Sequence, residues 1–479
     1  MHKLIVKHSS MVVENYDLGT CEKLEKRLSV WNPRYYRLDP IAFVYEEENK
    51  RPYLPRGLDI VYVEKMLNTT AYIDYTPDPY DVMSVKIKTM PRDDIQRKSI
   101  SFLIGEGDFS YTKKYSQMLL NLPTSVGKTY VTTASLQFLG MKCIVITPTD
   151  RIKEQWYNNF IEKSDLDETM ICNVTGSAAI NKLLKAKTLK FKVYLVNHGT
   201  LSSYAKSNCW EAVGKFFKHI KVGVKVYDEA HLNFENTLHI DFYTNTKKTI
   251  YLTATFERSD FRENYLFNTC FKNLIKYGYE TREEVRKHIL YLAVMYNSKP
   301  DLATQGHMST NMGFNKIRYS DYQMSCQKFY DAIIYCLNFF KEVDGKIMIM
   351  ATTINLVEAI SKFINDSYED ISAYPYHSKL TDDEKTKALS SNVIVTTPKS
   401  AGTGVDIPGL RVVIMCEAYS STVQADQISG RLREFAKDKK TCYVELVDRG
   451  FTKVLKMYQS RLPVFKKKCT KLLTIDIDK

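Results

Sequence analysis

Leu122-Pro123-Thr124-Ser125-Val126-Gly127-Lys128-Thr129 stands just ahead of the helix-like stretch Tyr130–Leu139. A loop that wraps phosphate needs backbone N–H groups turned inward, a lysine for the β- and γ-phosphates and a hydroxyl for Mg²⁺. Gly127, Lys128 and Thr129 supply the last two at the mouth of a helix, with Thr124 and Ser125 in the same loop. Ser125 takes the place that glycine holds in many such loops. At 100 residues beyond Lys128, Val226-Tyr227-Asp228-Glu229-Ala230-His231 closes a strand-like run. An aspartate at a strand end that ligates magnesium, followed by a glutamate that activates water, is what phosphoanhydride hydrolysis requires. The two features together predict a nucleotide hydrolase using ATP and Mg²⁺. Lys128 would hold the β/γ-phosphates, Thr129 and Asp228 the metal, and Glu229 the attacking water.

Working outward, Ile144–Thr147, Val193–Val196, Val222–Val226, Ile250–Leu252, Ile347–Met350, Val393–Thr396 and Val412–Cys416 read as short apolar strands between longer helical stretches. Such alternation from about residue 86 predicts an α/β fold with parallel sheets. Lys221 and Lys225 interrupt one run, which predicts a strand partly exposed on one side. The last 29 residues hold 8 Lys/Arg against 2 Asp, with apolar Val454, Leu455, Tyr458 and Leu462 at helical spacing. They predict a basic amphipathic helix with a solvated face that closes the second sheet.

At 479 residues the chain has room for about three domains. Residues 1–90 carry 13 Lys/Arg and 13 Asp/Glu, so the net charge of +13 lies in the remainder. Short aromatic and β-branched runs there predict a small α+β module, and the two prolines of Thr76-Pro77-Asp78-Pro79 mark a linker. The excess positive charge favours nucleic acid or another polyanion as partner. No apolar run reaches the roughly 18–20 residues that cross a bilayer. The ten cysteines stand singly, without a CxxC pair, and the first residues do not read as an export signal. A cytoplasmic protein is expected, in the host cytoplasm if viral, without structural zinc or a disulfide framework.

These motifs, in this order, resemble the superfamily 2 helicases. The resemblance implies two tandem RecA-like domains. In Pro91-Arg92-Asp93-Asp94-Ile95-Gln96, Arg92 and Gln96 match the adenine-reading element ahead of the phosphate loop. Thr147-Pro148-Thr149 with Gln155-Trp156 is similar to motif Ia, and Asn197-His198-Gly199-Thr200 to motif Ib. Through Pro148, Thr149, Gln155 and Thr200 these would touch the nucleic-acid backbone, while Trp156 reads as a packing residue. Leu252-Thr253-Ala254-Thr255 matches motif III, so that His231, Thr253 and Thr255 would couple hydrolysis to strand movement. Ile349-Met350-Ala351-Thr352 resembles motif IV. Thr396-Thr397 with Ala401-Gly402-Thr403-Gly404-Val405-Asp406-Ile407-Pro408 resembles motif V, and Gln427-Ile428-Ser429-Gly430-Arg431-Leu432-Arg433 motif VI. By that match Gly404, Asp406 and Gln427 would bind the nucleotide, Arg431 and Arg433 the transition-state charge, and Thr352, Thr397 and Lys399 the strand. Lys182, Lys185, Lys187, Lys190 and Lys192 form a lysine run between motifs Ia and Ib, which suits backbone phosphates.

Within that superfamily the chain resembles phage UvsW-type recombination helicases from about residue 25 onward. Their small N-terminal module carries elements that appear here as Asn32-Pro33-Arg34-Tyr35 and Leu54-Pro55-Arg56-Gly57-Leu58. The resemblance implies that Arg34, Tyr35 and Arg56 read DNA shape. It also implies a monomer acting on single-stranded and branched DNA, or RNA–DNA hybrids, beside viral replication or recombination proteins. The expected divisions are an accessory module at 1–85 and RecA-like domains at 86–257 and 258–479. Two departures stand out: Ala230 replaces the family's Cys, and the second motif VI arginine comes one place early. On a helix running through Arg431, Arg433 would be rotated by about 200° and could share the phosphate only if the helix is distorted there or begins after Gly430, so Arg431 is the expected principal contact. An RNA helicase of the DEAH-like kind, a poxvirus-like transcript-release helicase and a non-catalytic, ATP-switched nucleic-acid scaffold are the competing readings.

Overall fold

The computed structural model of the chain describes residues 2–32, 37–40, 44–45, 52–122, 126–253, 261–278, 288–310, 313–401, 407–432 and 441–479. They divide into two compact units, Met1–Tyr279 and Glu280–Lys479.

The first unit is built on a seven-stranded, all-parallel sheet. In spatial order its strands are Ile171–Val174, Val193–Asn197, Cys143–Thr147, Val224–Tyr227, Lys248–Thr253, Gln117–Asn121 and Ile275–Gly278. The sheet thus takes a strand from beyond residue 257. Successive residues feed two separate cores: Val145, Leu195, Val226 and Leu252 on one face, Ile146, Val196, Tyr227 and Tyr251 on the other. Helices cover both faces, so each strand reads as a continuous apolar run rather than an alternation.

The strand Val224–Tyr227 departs from expectation, being buried along its whole length. Lys225 is 0% exposed, its Nζ 2.6 Å from both Asp241 Oδ1 and Thr244 Oγ1. A buried ammonium is tolerated because a buried carboxylate faces it. Lys221 lies outside the strand, as the left-handed C-cap of the helix His198–Ile220.

Residues before the linker form a five-stranded, mostly antiparallel sheet in the order Val44–Tyr45, Pro52–Pro55, Ser10–Glu14, Lys3–Val6, Ala71–Ile73. Two helices accompany it, Leu18–Arg27 capped by Asp17 and Ile60–Leu67 capped by Asp59. Its core, including Leu4, Leu24, Leu54 and Val63, continues into Leu238, Phe242 and Cys270 of the helices beside the parallel sheet. The linker is docked rather than loose: the Asp78 N–H donates to Asn245 O at 2.8 Å and the Asn245 N–H to Asp78 Oδ2 at 2.9 Å.

The second unit repeats the architecture with strands Ala373–Tyr376, Val393–Thr396, Lys346–Met350, Leu410–Met415, Thr441–Asp448, Ile289–Tyr296 and Cys469–Asp476, all parallel. The basic helix expected near the C-terminus is Thr452–Lys468, but Cys469–Asp476 then turns into the edge strand of the sheet. Nor is every basic residue of that helix solvated. Arg461 is buried and clamps Glu445 through Nε at 3.0 Å and Nη2 at 2.8 Å, with its guanidinium 3.9 Å above the Tyr419 ring. Among the described residues, no helix is long and apolar enough to cross a membrane.

Candidate nucleotide and nucleic-acid sites

Gly127 has φ +93° and immediately precedes the helix Lys128–Leu139. That conformation favours glycine, and a Cβ there would meet Gln96 Nε2 at 2.7 Å. Gln96 is buried against the loop: its Nε2 donates to Val126 O at 2.8 Å, and its Oε1 accepts from the Arg92 N–H at 3.0 Å. Asp93 caps the same helix by accepting from the Gln96 N–H at 2.8 Å, and it also pairs with Arg92 Nε at 2.9 Å. The Arg92–Gln96 element is therefore folded onto Val126 and Gly127.

The strands Gln117–Asn121 and Val224–Tyr227 run in the same direction on either side of Lys248–Thr253. Their C-terminal ends share one edge of the sheet, where ligands of open α/β folds bind. Lys128 Nζ donates to Leu122 O at 3.3 Å and lies 3.6 Å from Glu229 Oε1. Thr129 follows, half-buried, in the first turn of the helix. Asp228 is buried; its Oδ1 accepts from the Glu229 N–H at 2.9 Å and its Oδ2 from Trp156 Nε1 at 2.7 Å. Burial, and then the charge of Glu229, push the Asp228 carboxyl up to about 6, against the pull of Lys128 and the Trp156 hydrogen bond. Glu229 has φ +46°, an uncommon conformation for a side-chain-bearing residue. His231 Nδ1 lies 3.1 Å from Thr253 Oγ1 and 3.2 Å from Glu229 Oε2, so it spans the acidic turn and the end of the neighbouring strand.

On the same edge, Thr149 caps the helix Asp150–Lys163 by accepting from the Ile152 N–H at 3.4 Å, beside half-buried Pro148. Gln155 lies half-buried in that helix, next to Trp156. Asn197 caps His198–Ile220 and donates through Nδ2 to Asp150 Oδ1 at 2.8 Å. Thr200 is buried, and its Oγ1 accepts from the Gly176 N–H at 3.4 Å. Lys153, also buried, reaches Thr175 Oγ1 at 2.9 Å and Asp150 Oδ1 at 2.7 Å. Three helix starts are thus tied together by side chains. Of the lysine run, Lys182, Lys185, Lys187 and Lys190 are exposed, while Lys192 donates to Ser84 O at 2.7 Å. Arg56 donates through Nη2 to Tyr75 OH at 2.9 Å and lines a small cavity with Ser9, Gln117, Asp241 and Tyr251. It is engaged at the seam between the N-terminal module and the sheet.

In the second unit, Thr352 follows the strand Lys346–Met350, half-buried, just ahead of the capping Thr353. Thr397 Oγ1 donates to Ser400 Oγ at 2.9 Å over the turn that carries exposed Lys399. Gln427 is half-buried on the helix Thr422–Ser429. That helix stops at Ser429, and the Arg431 N–H returns to Ile428 O at 3.1 Å in the turn beyond. The helix Thr422–Ser429 therefore does not run through Arg431, so its rotation does not set the direction of that side chain. The helix end is fastened by Lys468, whose Nζ donates to Asp426 O at 2.8 Å and to Ser429 Oγ at 3.1 Å. Arg34, Tyr35, Thr124, Ser125, Thr255, Gly404, Asp406 and Arg433 lie outside the described residues.

Trp156 and Lys468 are the residues that sequence reasoning underrated. Trp156 stands 72 positions before the aspartate it serves, so no local pattern links them.

A family model described as DEAD/DEAH box helicase matches residues 93–263, and one described as helicase conserved C-terminal domain matches residues 328–434. The chain is 22% identical over 357 residues to transcript termination protein A18 of Yaba monkey tumor virus, covering 68% of this chain and 66% of that protein. This chain thus spans slightly less than two thirds of that relative's length. Its Fowlpox virus counterpart is 23% identical over 355 residues, 71% of each chain. Among solved structures, S. cerevisiae Dbp5 bound to RNA and ADP BeF3 aligns over 80% of this chain and 90% of its own, at 15% identity and a TM-score of 0.53. That likeness concerns the fold. T4 UvsW aligns over 99% of this chain and 100% of its own at 16% identity, with a TM-score of 0.35. With two RecA-like units and both helicase domains matched in order, the chain belongs to the superfamily 2 helicases.

Proposed function

We propose that the protein is an ATP-driven helicase or translocase working on branched DNA. The observation that carries the ATPase half is the meeting of Lys128 with Glu229 beside buried Asp228. Lys128 and the N-terminus of its helix would receive the β/γ-phosphates, with Gln96 and Arg92 placed to read the base. Two adjacent carboxylates face one lysine there, and burial raises the Asp228 carboxyl. A donor set with that surplus of negative charge fits a divalent cation held by Asp228 and Thr129. Bound magnesium would neutralise phosphate charge. Glu229 would accept the proton of the attacking water, its carboxylate oriented by His231. Arg431 would meet the transition-state charge. Gly404, Asp406 and Gln427 would complete the nucleotide contacts.

Support for DNA comes from the Asn32–Tyr35 and Leu54–Leu58 elements, while the charge distribution, neutral up to residue 90 and basic beyond, supports a nucleic acid of either kind. Engaged as it is with Tyr75, Arg56 would act by fixing the N-terminal module, to whose sequence Arg34 and Tyr35 belong. Pro148, Thr149, Gln155, Thr352, Thr397 and Lys399 would line the strand path, and the protein would work as a monomer in the cytoplasm, which, if the protein is viral, is the host's, alongside viral replication or recombination proteins. A second reading, release of transcripts from a polymerase, is favoured by the relatives named transcript termination protein A18. ATPase stimulation by single-stranded DNA, a four-way junction and RNA, together with unwinding of the junction, tests the proposal. Stimulation and unwinding by the junction support it. Stimulation by RNA alone, or transcript release without junction unwinding, replaces it with the second reading or with an RNA helicase. No turnover with any polynucleotide leaves only the scaffold.

A further inference from the structure

Trp156 is 1% exposed and packs beside Phe160, with ring centroids 5.7 Å apart. Packing alone does not require an indole here, because phenylalanine would supply an aromatic ring without a donor. What the indole adds is its one polar atom, a donor only, aimed at Asp228 Oδ2 at 2.7 Å. Hydrogen bonds to an ionised carboxylate are short and about twice as strong as neutral ones. The other Asp228 oxygen is held by the Glu229 N–H, so the carboxylate is oriented from both sides while each oxygen keeps acceptor capacity.

The helix that carries Trp156 begins at Asp150, about 9 Å away along the axis at 1.5 Å per residue. Asp150 is shared by Asn197 and Lys153, and Lys153 reaches on to Thr175. One end of this rigid element therefore belongs to the cluster of helix starts, and its next turns reach the acidic site.

We propose that Trp156 is a positioning residue for the metal-binding carboxylate of Asp228, and that it carries the state of the Thr149–Asp150 helix start to the nucleotide site. The proposal rests on the ATP-hydrolysing reading above. Engagement of a strand at the helix start would shift the helix as a body, and the indole N–H would move Asp228 with it. The hydrogen bond is thus a physical link by which nucleic acid could set the affinity for the metal–nucleotide complex.

The test is a Mg²⁺ titration of the full chain binding a fluorescent N-methylanthraniloyl ADP, with and without a 20-nucleotide oligothymidylate. In the wild type, the oligonucleotide should lower the Mg²⁺ midpoint. Trp156→Phe should raise that midpoint about 10–100-fold, as loss of an outer-shell partner does at metal sites, and abolish the oligonucleotide's effect. Its affinity for the same nucleotide in EDTA should stay unchanged. Trp156→His, which can offer a ring N–H, should recover part of the midpoint, and it serves if the phenylalanine variant folds poorly. A Trp156→Phe midpoint within twofold of wild type, a tighter one, or an intact response to the oligonucleotide overturns the proposal. Equal weakening in Mg²⁺ and in EDTA, with a lowered melting temperature, also overturns it by showing a packing role alone. Failure of the wild type to bind the nucleotide at all would instead remove the ATPase reading itself.

Discussion

Lys128 Nζ and Glu229 Oε1 stand 3.6 Å apart, the lysine opening a helix and the glutamate following a strand. Each side chain is only partly exposed, at 10% and 21%, so their charges act on each other with little screening by water. The pairing places a candidate phosphate-binding cation directly beside a candidate general base.

Lys128→Ala should abolish ATP hydrolysis, because the γ-phosphate loses its main point charge. Glu229→Gln should retain nucleotide and DNA binding and lose turnover by a factor of about 10²–10⁴, the usual contribution of a positioned proton acceptor. Steady-state hydrolysis beside equilibrium nucleotide binding separates the two variants, and wild-type turnover in either would remove the ATPase assignment.

Arg431 sits in a turn whose preceding helix is pinned by Lys468. Arg431→Ala should lower turnover by on the order of 10³ or more, as loss of an arginine finger does elsewhere. Lys468→Ala should cost less, about tenfold, through a looser helix end, and should leave ATP binding by the first unit intact. Arg433→Ala, one place off the family's second arginine position, should also cost less than Arg431→Ala. Single-turnover rates at saturating ATP rank the three variants.

Asp241 accepts from Lys225, Tyr227 and Tyr251 in the interior of the first unit. Asp241→Asn leaves the ammonium of Lys225 without its counter-charge, so unfolding of this unit should become easier by about 3–5 kcal/mol. Replacing Lys225 and Asp241 together by apolar residues of similar volume should restore much of that loss. Denaturant unfolding of the two variants distinguishes them.

His198 is buried in stacked contact with Tyr227, neither ring nitrogen has a hydrogen-bond partner among the described residues, and burial pushes its pKa down to about 4. Unfolding releases the ring to its ordinary value near 6.5, so below that pH the unfolded chain binds the extra proton. Stability contributed by the neutral ring is complete above about pH 6.5 and is lost as pH falls toward 4, by about 2–3 kcal/mol at pH 4.5. His198→Phe, which keeps the stack, should flatten the fall in melting temperature between pH 6.5 and 4.5. An unchanged slope would show that other groups set it.

Much of this protein could be read from its sequence because the relevant constraints are local. The turn through Gly127-Lys128-Thr129 and the strand end at Asp228-Glu229 gather their chemistry within a few neighbouring residues. Parallel strands covered on both faces must be apolar throughout, so runs such as Ile144–Thr147 declare themselves. The tertiary structure decided what depends on partners remote in the chain. Lys225 reads as a solvent-facing interruption until Asp241 and Thr244 are brought beside it, because only a neighbouring counter-charge makes a buried ammonium tolerable. Trp156 has the composition of a core residue, and its role emerges only when the sheet order carries Asp228 to its N–H. Likewise, the register of Arg431 follows from a helix that stops at Ser429 and is fastened there by Lys468, 39 residues further on. Local sequence sets backbone propensity and the chemistry available at each position. Which distant groups share a low-dielectric interior, and so which charges and donors must be matched, is set by the packing of the whole chain.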